Sequence, residues 1–502
     1  MNVYRILLIL GASLGLLLFS IPAQAGPPPG VISPKLAAAA ANGAAVPFLV
    51  VLREQADLSG AARLPNKLEK GRYVFRQLHE TADRTQTEIQ SELRRLGLTF
   101  HSYYTVNAIA VDAGDRAVID RLAARSDVAR LESDQRVMLE VPVPQTGPGL
   151  MSPQAVAAIE WGVKKVNAPT VWAMGYRGQN VVVASGDTGV QWNHPALMLH
   201  YRGYTGGIVN HNYNWWDAVH QDVSGNGTNP CGFSSRRPCD DYGHGTHTVG
   251  TAVGAKGMNR IGVAPGARWI ACRNMEEGYG RPSQYIECFD FFLAPWNLNG
   301  KNANPDRNAD VITNSWTCTL GDPPLGEGCV PDSIRTAVEN ARAAGIFVVA
   351  AAGNAGSNCS TIAEPPAIYD AAFTVGATDS YNALWPLSGR GPVASDGSGR
   401  LKPDLSAPGV SVRSSYIGNA YVYMSGTSMA APHVAGAVAL LWNARPRLKG
   451  QIDRTERVLT GSAYRSVSAA GSCGGTDATI IPNNLFGYGR LDVLAAVKRV
   501  AP

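Results

Sequence analysis

The pattern of apolar and polar residues divides the chain into two regions. In residues 45–140, short apolar runs alternate with charged segments. Residues 72–96 carry apolar side chains at helical spacing and predict a long helix, and residues 115–124 predict a short one. Apolar or alternating runs predict strands at 47–52, 104–111, 128–132 and 137–141. The order β-α-β-α-β predicts a small ferredoxin-like α+β domain.

From about residue 160 the pattern changes to long apolar strands separated by helices rich in glycine and alanine. Strands are predicted at 181–185, 269–272, 311–314, 346–352 and 373–376, and helices at 331–344 and 427–442. Strands that are apolar throughout are typical of a parallel sheet with helices on both faces. We therefore predict a three-layer α/β fold with a mostly parallel central sheet. A functional site is expected at the carboxyl ends of its strands.

The first 25 residues have the layout of a secretory signal peptide. Arg5 precedes an apolar run from 6 to 21, and an A-x-A sequence follows at 23–25. An uncleaved anchor helix is the alternative, but the run is short for a span of about 20 residues. We predict cleavage after Ala25, a secreted protein and no membrane attachment after the signal is removed.

A linker sets the boundary between the two domains, and the composition excludes several classes of protein. A Pro- and Gly-rich linker at 142–153 separates the two folded regions, which gives a signal peptide at 1–25, a first domain with its linker at 26–150 and a second domain at 151–502. Charged residues are 17% and hydrophobic residues 45% of the 502, which excludes a disordered chain. The 54 glycines follow no G-x-y period, which excludes collagen. A net charge of +5 is too small to indicate nucleic-acid binding.

All eight cysteines lie in the second domain, from residue 231 onward. An even number in an exported chain implies disulfides. A structural zinc site is the alternative, but the chain has no C-x-x-C pair. Short loops favour neighbouring partners, and the remaining two cysteines then pair with each other: Cys231–Cys239, Cys272–Cys288, Cys318–Cys329 and Cys359–Cys473.

Three motifs carry chemistry, and the first is Asp187-Thr188-Gly189, which directly follows a predicted strand. A lone aspartate at such a place is usually a turn or cap residue. An aspartic protease also uses D-T-G, but it needs a second carboxylate of the same kind, and no second D-T-G or D-S-G occurs.

The second motif runs from 241 to 250 and contains His244 and His247. The two histidines could bind a metal, but ligand pairs on a helix more often lie four apart, and no H-E-x-x-H is present. Gly243 and Gly245 flank His244, and the absence of a Cβ lets the backbone pack closely there. We interpret His244 as a free imidazole that approaches a nucleophile and His247 as a packed, hydrogen-bonded residue.

The third motif, at 425–436, opens a helix that is apolar nearly all round and is therefore predicted to be buried. Pro432 is expected in the first turn, so the helix begins near Thr427 or Ser428. Ser428 then lies where unpaired N–H groups and the positive end of the helix dipole meet. A plain N-cap serine is the alternative. A G-x-S-x-G elbow is absent because residue 430 is alanine, which argues against a lipase or esterase of the α/β-hydrolase type.

Taken in this order, the three segments resemble the subtilisin (subtilase) family of serine proteases, with the bacillopeptidase F-like branch as the nearest likeness. The resemblance covers about residues 160–500, and GTSMAAPHVAG at 426–436 is its most specific part. It implies that Asp187, His244 and Ser428 form the catalytic triad. It also implies that residues 45–140 form an inhibitory propeptide.

The same resemblance assigns further site residues. Asn354 matches the family's oxyanion asparagine, and the Ser428 N–H would be the second donor. The implied substrate-binding residues are Ser315, Trp316, Thr317, Ala352 and Gly353, and a peptide would lie as an added strand along 315–317.

The chain also departs from commoner members of this family. The stretch between Asp187 and His244 holds an aromatic insertion at 211–216 and two cysteines, and Trp316 is bulky for a substrate strand. No carboxylate-rich loop has clear calcium spacing. We therefore expect no required cofactor; a structural calcium ion is possible in this family but is not evident here.

These inferences predict a secreted serine endopeptidase that is made as a self-processing proenzyme and acts as a monomer on protein or peptide substrates. The other expected partner is its own propeptide, and no nucleic acid is expected. Because a fold does not guarantee activity, an inactive secreted binding protein on the same fold is the alternative. A metal-dependent hydrolase that uses His244 and His247 is a further alternative, which sensitivity to a chelator would reveal.

Overall fold

The structure is a computed structural model that describes residues 31–139, 143–144, 151–152, 158–319, 328–469 and 471–500. The predicted signal peptide and most of the predicted linker at 142–153 lie outside these residues. Within them, no helix combines the length and the hydropathy that crossing a membrane requires.

The N-terminal domain is an antiparallel four-stranded sheet with two longer helices and the short helix Pro34–Ala39. In spatial order its strands are Phe100–Tyr103, Ala108–Gly114, Val46–Leu52 and Val128–Ser133. The helices Lys67–Arg95 and Arg116–Ala123 each begin at a side-chain cap: Asn66 accepts from the Glu69 N–H, and Asp115 from the Val118 N–H. This topology confirms the predicted ferredoxin-like domain.

The strand predicted at 104–111 is wrong in its bounds. The chain forms two strands there, which are separated by a turn between Tyr103 and Ala108. The two strands pair antiparallel, so the turn is the loop of a hairpin, and within it the Tyr104 and Thr105 N–H groups donate to Asp290 of the second domain. Of the strand predicted at 137–141, residues 137–139 are described; Val137–Met138 forms a strand, and it pairs outside the four-stranded sheet.

The second domain is built on a seven-stranded parallel sheet, as predicted. Its strands in spatial order are Trp215–Asp217, Arg268–Arg273, Val182–Asp187, Val311–Asn314, Phe347–Ala351, Phe373–Thr378 and Leu405–Pro408. Successive side chains enter two different cores: Val183 and Val311 lie in one, Ala184 and Ile312 in the other. Both faces of the sheet are therefore covered, which makes the fold a three-layer α/β structure.

Helices fill the two outer layers. His244–Val253 and Thr427–Ala444 pack on one face, and Pro282–Leu293 and Arg335–Ala343 on the other. The remaining described helices are Pro34–Ala39, Trp161–Lys165, Ala168–Ala173, Ile452–Gly461 and Val493–Arg499. Outside the main sheet, Val412–Tyr416 pairs with Ala420–Ser425, and two-residue strands pair as Tyr204–Thr205 with Ile208–Val209, Ala255–Lys256 with Asn259–Arg260, Met275–Glu276 with Tyr279–Gly280, and Ser472–Cys473 with Thr476–Asp477.

The helix Thr427–Ala444 begins where the sequence predicts, but Pro432 lies inside it and not in its first turn. A proline there removes the N–H that would bond to the carbonyl of Ser428. The Ser315 hydroxyl donates to that carbonyl instead, at 3.0 Å. The substitute donor explains why the helix tolerates a proline at this depth.

Four disulfides link all eight cysteines in the pairs expected from the sequence, and they are Cys231–Cys239, Cys272–Cys288, Cys318–Cys329 and Cys359–Cys473. The last one closes a sequence separation of 114 residues. Such a long loop gives this bond the largest effect on the unfolded chain.

Buried polar contacts join the two domains. Asp134 of the first domain accepts from the Ser283 N–H at 2.8 Å and from its hydroxyl at 2.6 Å. In the opposite sense, Asp290 of the second domain accepts from the first domain's turn. Lys67 lies 3.2 Å from Asp310, and both side chains are buried. Buried polar groups of each domain therefore find their hydrogen-bond or ion-pair partners on the other domain.

The chain after the first domain runs along the second one. Val137–Met138 pairs antiparallel with Tyr279–Gly280, and the Leu139 N–H donates to the Gly278 carbonyl at 2.8 Å. Further along, the strand Val143–Pro144 pairs antiparallel with Ser425 and Met424. Two separate surfaces of the second domain thus each gain an added strand.

Candidate active site

Asp187 is the last residue of the strand Val182–Asp187, at the carboxyl edge of the sheet. Its Oδ1 lies 2.7 Å from His244 Nδ1 and accepts from the Thr188 N–H at 2.8 Å. Thr248 donates to the other carboxylate oxygen at 3.3 Å. The carboxylate is thus held in one orientation, with a single ring nitrogen in front of it.

His244 is the first residue of the helix His244–Val253, and close backbone packing sets its position. A Cβ on Gly245 would lie 2.0 Å from the Gly189 carbonyl oxygen and 3.1 Å from the Asp187 Cβ. Because real Cβ atoms do not approach oxygen so closely, any larger residue would push the helix away from Asp187. The sequence-based expectation of close packing beside His244 holds here.

Asp240 holds together the loop after Asp187 and the loop before His244, and the sequence analysis did not identify it. Its buried carboxylate accepts from the Thr188 hydroxyl at 2.9 Å, the Gly243 N–H at 2.7 Å, and the N–H and hydroxyl of Thr246 at 2.9 and 2.6 Å. Burial raises its pKa, against these hydrogen bonds, which lower it. The available signal was an acidic residue just before the histidine motif. Asp240 joins the aspartate loop to the start of the histidine helix.

His247 is a packed residue, as interpreted from the sequence. It is fully buried, and its Nε2 lies 3.1 Å from the Val412 carbonyl. Burial lowers its pKa to about 3, so the ring is neutral at physiological pH. Across the described part of the chain, no group of three or more His, Cys, Asp or Glu side chains is placed to hold a metal ion.

Ser428 lies in the first turn of the helix Thr427–Ala444, and Gly426 occupies the N-cap position. The alternative of a plain N-cap serine is therefore wrong. N–H groups in a first turn have no acceptor within the helix, and the helix dipole is positive there. The Ser428 hydroxyl donates to the Ser315 carbonyl at 2.7 Å.

His244 and Ser428 lie on two helices that pack against each other, yet they are not hydrogen-bonded. Among the described residues, His244 Nε2 is buried with no hydrogen-bond partner. His244 is 1% and Ser428 2% exposed. The hydroxyl would have to turn from Ser315 towards Nε2 before a proton could move. Such loose geometry is common before substrate binds.

Asn354 lies just beyond the strand Phe347–Ala351, near the start of the serine helix. Its carboxamide oxygen accepts from the Thr427 N–H at 3.0 Å and from the Thr427 hydroxyl at 2.9 Å. Because these two bonds fix the carboxamide oxygen towards Thr427, the NH₂ group of the same amide points away from Thr427. An oxyanion donor needs this orientation.

Two of the five predicted substrate-binding residues turn their side chains into the domain. The Ser315 hydroxyl bonds to the Ser428 carbonyl. The Trp316 indole is 2% exposed, donates to the Gly186 carbonyl at 2.7 Å and stacks on Tyr285 at 4.1 Å between ring centroids. The bulky tryptophan therefore fills the interior, and only the main chain of this segment could contact a peptide.

The other three, Thr317, Ala352 and Gly353, line a cavity of about 270 Å³ beside Asn354. Glu364 lies on the wall of the same cavity, and the sequence analysis did not single it out. Nothing in the pattern around residue 364 could indicate this position, since it depends on how a loop folds back.

The chain is similar in sequence to a known protein family and to several known proteins. The peptidase S8 model, described as the subtilase family, matches residues 178–489. Bacillopeptidase F of Bacillus subtilis (strain 168) is 36% identical over 451 residues, which cover 86% of this chain but 29% of that protein. Subtilisin E of the same strain is 30% identical over 367 residues, 72% of this chain and 78% of that protein. Subtilisin of Bacillus pumilus is 31% identical over 315 residues, 61% of this chain and 94% of that protein.

Proposed function

Because the chain belongs to the subtilase family, we propose that it is a secreted serine endopeptidase, made as a proenzyme that cleaves itself, with Asp187, His244 and Ser428 as its triad. The observation that carries the proposal is the 2.7 Å contact between Asp187 Oδ1 and His244 Nδ1. A carboxylate on Nδ1 keeps the proton there, so Nε2 is the basic nitrogen.

The mechanism follows from these positions. His244 Nε2 takes the Ser428 hydroxyl proton as Oγ attacks a peptide carbonyl, and Asp187 stabilises the imidazolium that forms. The Asn354 NH₂ and the Ser428 N–H stabilise the oxyanion; one such donor is typically worth about 2.7–4 kcal/mol of barrier. His244 then protonates the leaving amine. Water, activated by the same ring, hydrolyses the acyl-enzyme.

We further propose that residues 26–139 act as an inhibitory prosegment and that the first cut falls between Leu139 and Val143. Two antiparallel pairings support this: Val137–Met138 with Tyr279–Gly280, and Val143–Pro144 with Ser425 and Met424, just before Ser428. A chain that pairs at both places could bring a bond between Leu139 and Val143 to the nucleophile. The near-complete burial of His244 and Ser428 also supports a latent full-length form.

Replacement of the nucleophile tests this proposal. Ser428→Ala leaves the packing nearly unchanged, so secreted protein should accumulate uncleaved, while wild type loses its prosegment. Mass spectrometry of wild type should find a new N-terminus between residues 140 and 143, and a serine-directed phosphonate should label Ser428 of the processed form. Equal trimming of Ser428→Ala in a protease-deficient host would contradict self-processing. No labelling and no peptide hydrolysis would favour the inactive binding protein.

A further inference from the structure

The walls of the cavity of about 270 Å³ include residues that are close in sequence to the proposed oxyanion donor and to the residue that holds the nucleophile. Gly353 on its wall directly precedes the oxyanion residue. Thr317, also on its wall, lies two residues beyond Ser315, whose carbonyl accepts from the Ser428 hydroxyl. The cavity therefore opens where a carbonyl attacked by Ser428 would lie.

A substrate residue that supplies this carbonyl carries its side chain one bond away, on its Cα. With the carbonyl oxygen directed at Asn354, the nearest space for that side chain is the cavity. The volume lies below the range of about 300–1,000 Å³ typical of small-molecule sites, which suits one long side chain.

Charge decides which side chain fits. The described residues that line the cavity are small or hydroxyl-bearing, with the exception of Glu364, the one charged residue among them. Glu364 is half-buried, so a charge opposite it is screened less than at the open surface. The negative charge attracts a cationic side chain and repels an acidic one, whereas an apolar side chain gains nothing from it.

We propose, resting on the protease function above, that this cavity binds the side chain before the cleaved bond and that Glu364 selects lysine or arginine there. Arginine presents a planar fork of donors that can bond to both carboxylate oxygens, whereas lysine binds as a point charge. Both should be favoured over neutral side chains of similar length.

The first cut of the proenzyme does not depend on this selection. The residues between Leu139 and Val143 are Glu140, Val141 and Pro142, none of them basic. A tethered strand reacts at a high effective concentration, which compensates for a side chain that the cavity binds weakly. The preference should therefore appear with separate substrates and not at the maturation site.

The test uses processed enzyme and peptides that differ only in the residue before the cut: arginine, lysine, glutamine, leucine or glutamate. Phosphonate titration of Ser428 gives the concentration of working sites. Wild type should prefer arginine and lysine to glutamine and leucine by at least about tenfold in kcat/KM. Glu364→Gln should lower the arginine-to-leucine ratio by about 10- to 100-fold, as loss of a hydrogen bond to a charged group predicts. Glu364→Lys should shift the preference to glutamate.

Asp370→Asn is the matched control, because it also removes one negative charge but its side chain is 92% exposed and outside the cavity. It should keep the wild-type ratio. An arginine-to-leucine ratio near one in wild type, or an equal loss for both peptides in Glu364→Gln, would overturn the selection by Glu364. If no peptide is cleaved and the phosphonate labels nothing, the protease function itself fails instead.

Discussion

Removal of the Asp290 carboxylate should release the prosegment without damaging the triad. Asp290 lies on the helix Pro282–Leu293 and is buried against the first domain. It accepts from the Tyr104 N–H at 3.1 Å and the Thr105 N–H at 2.8 Å, and the Thr105 hydroxyl also donates to it. Asp290→Ala leaves these donors without an acceptor only while the prosegment is bound.

The cost follows from the number of donors. An unpaired buried donor costs about 1–3 kcal/mol, so two N–H groups predict about 2–6 kcal/mol. Since about 1.4 kcal/mol corresponds to a tenfold change, the dissociation constant of the prosegment should rise roughly 30- to 20,000-fold. The free enzyme exposes residue 290 to water, so its kcat/KM should stay as in wild type.

The assay begins from processed protein, in which the proposed prosegment and the enzyme are expected to remain as a non-covalent complex. Dilution releases the prosegment, and the concentration at which half of the activity appears gives the dissociation constant. Asp306→Ala is the control, because its contact with Arg72 at 2.6 Å joins side chains that are 40% and 56% exposed. That pair should contribute at most about 1 kcal/mol. Equal effects of the two variants would refute the importance of the buried network.

Three further outcomes are expected. Burial raises the pKa of Asp134 to about 6 and that of Asp290 to about 7, so both carboxyl groups keep their protons in the complex at pH values where the separated domains lose them. Prosegment affinity, measured by the same dilution assay, should therefore be highest below about pH 4 and fall as the pH rises to 7. An affinity that rises over this range would contradict the argument. Gly245→Ala should lower kcat/KM by about 100-fold through displacement of the histidine helix, with secondary structure by circular dichroism retained. Removal of Cys359–Cys473 by paired serine substitutions should cost about 5 kcal/mol of unfolding free energy, about twice the cost for the shortest disulfide loop, and equal costs would argue against the chain-entropy account.

Local sequence signals predicted the elements that are buried in the centre of the second domain, because burial on every side leaves a continuous apolar run. The helix predicted at 427–442 is Thr427–Ala444, and the strand predicted at 311–314 is Val311–Asn314. The helix is apolar on nearly every side because it is buried on every side, and all four residues of the strand are buried as well. The glycines around the histidine were also readable, since only close backbone approach requires them in such a run.

The features that the sequence could not predict involve contacts between residues that are far apart along the chain. The turn that interrupts the strand predicted at 104–111 donates its N–H groups to Asp290, which lies 186 residues away from Tyr104. Pro432 is tolerated inside its helix because Ser315, far away in sequence, donates to the Ser428 carbonyl. Glu364 reaches the cavity only through the fold of its loop. In each case the partner is distant along the chain, and no periodicity records it.

The buried interface carboxylates also connect latency with catalysis. Asp134 and Asp290 favour the bound prosegment when they are protonated, so rising pH loosens it. The proposed base, His244, is buried while the prosegment is in place, so release of the prosegment is also what would give a substrate access to the triad. An acidic environment would therefore preserve the proenzyme complex after the first cut, and neutralisation would release the enzyme.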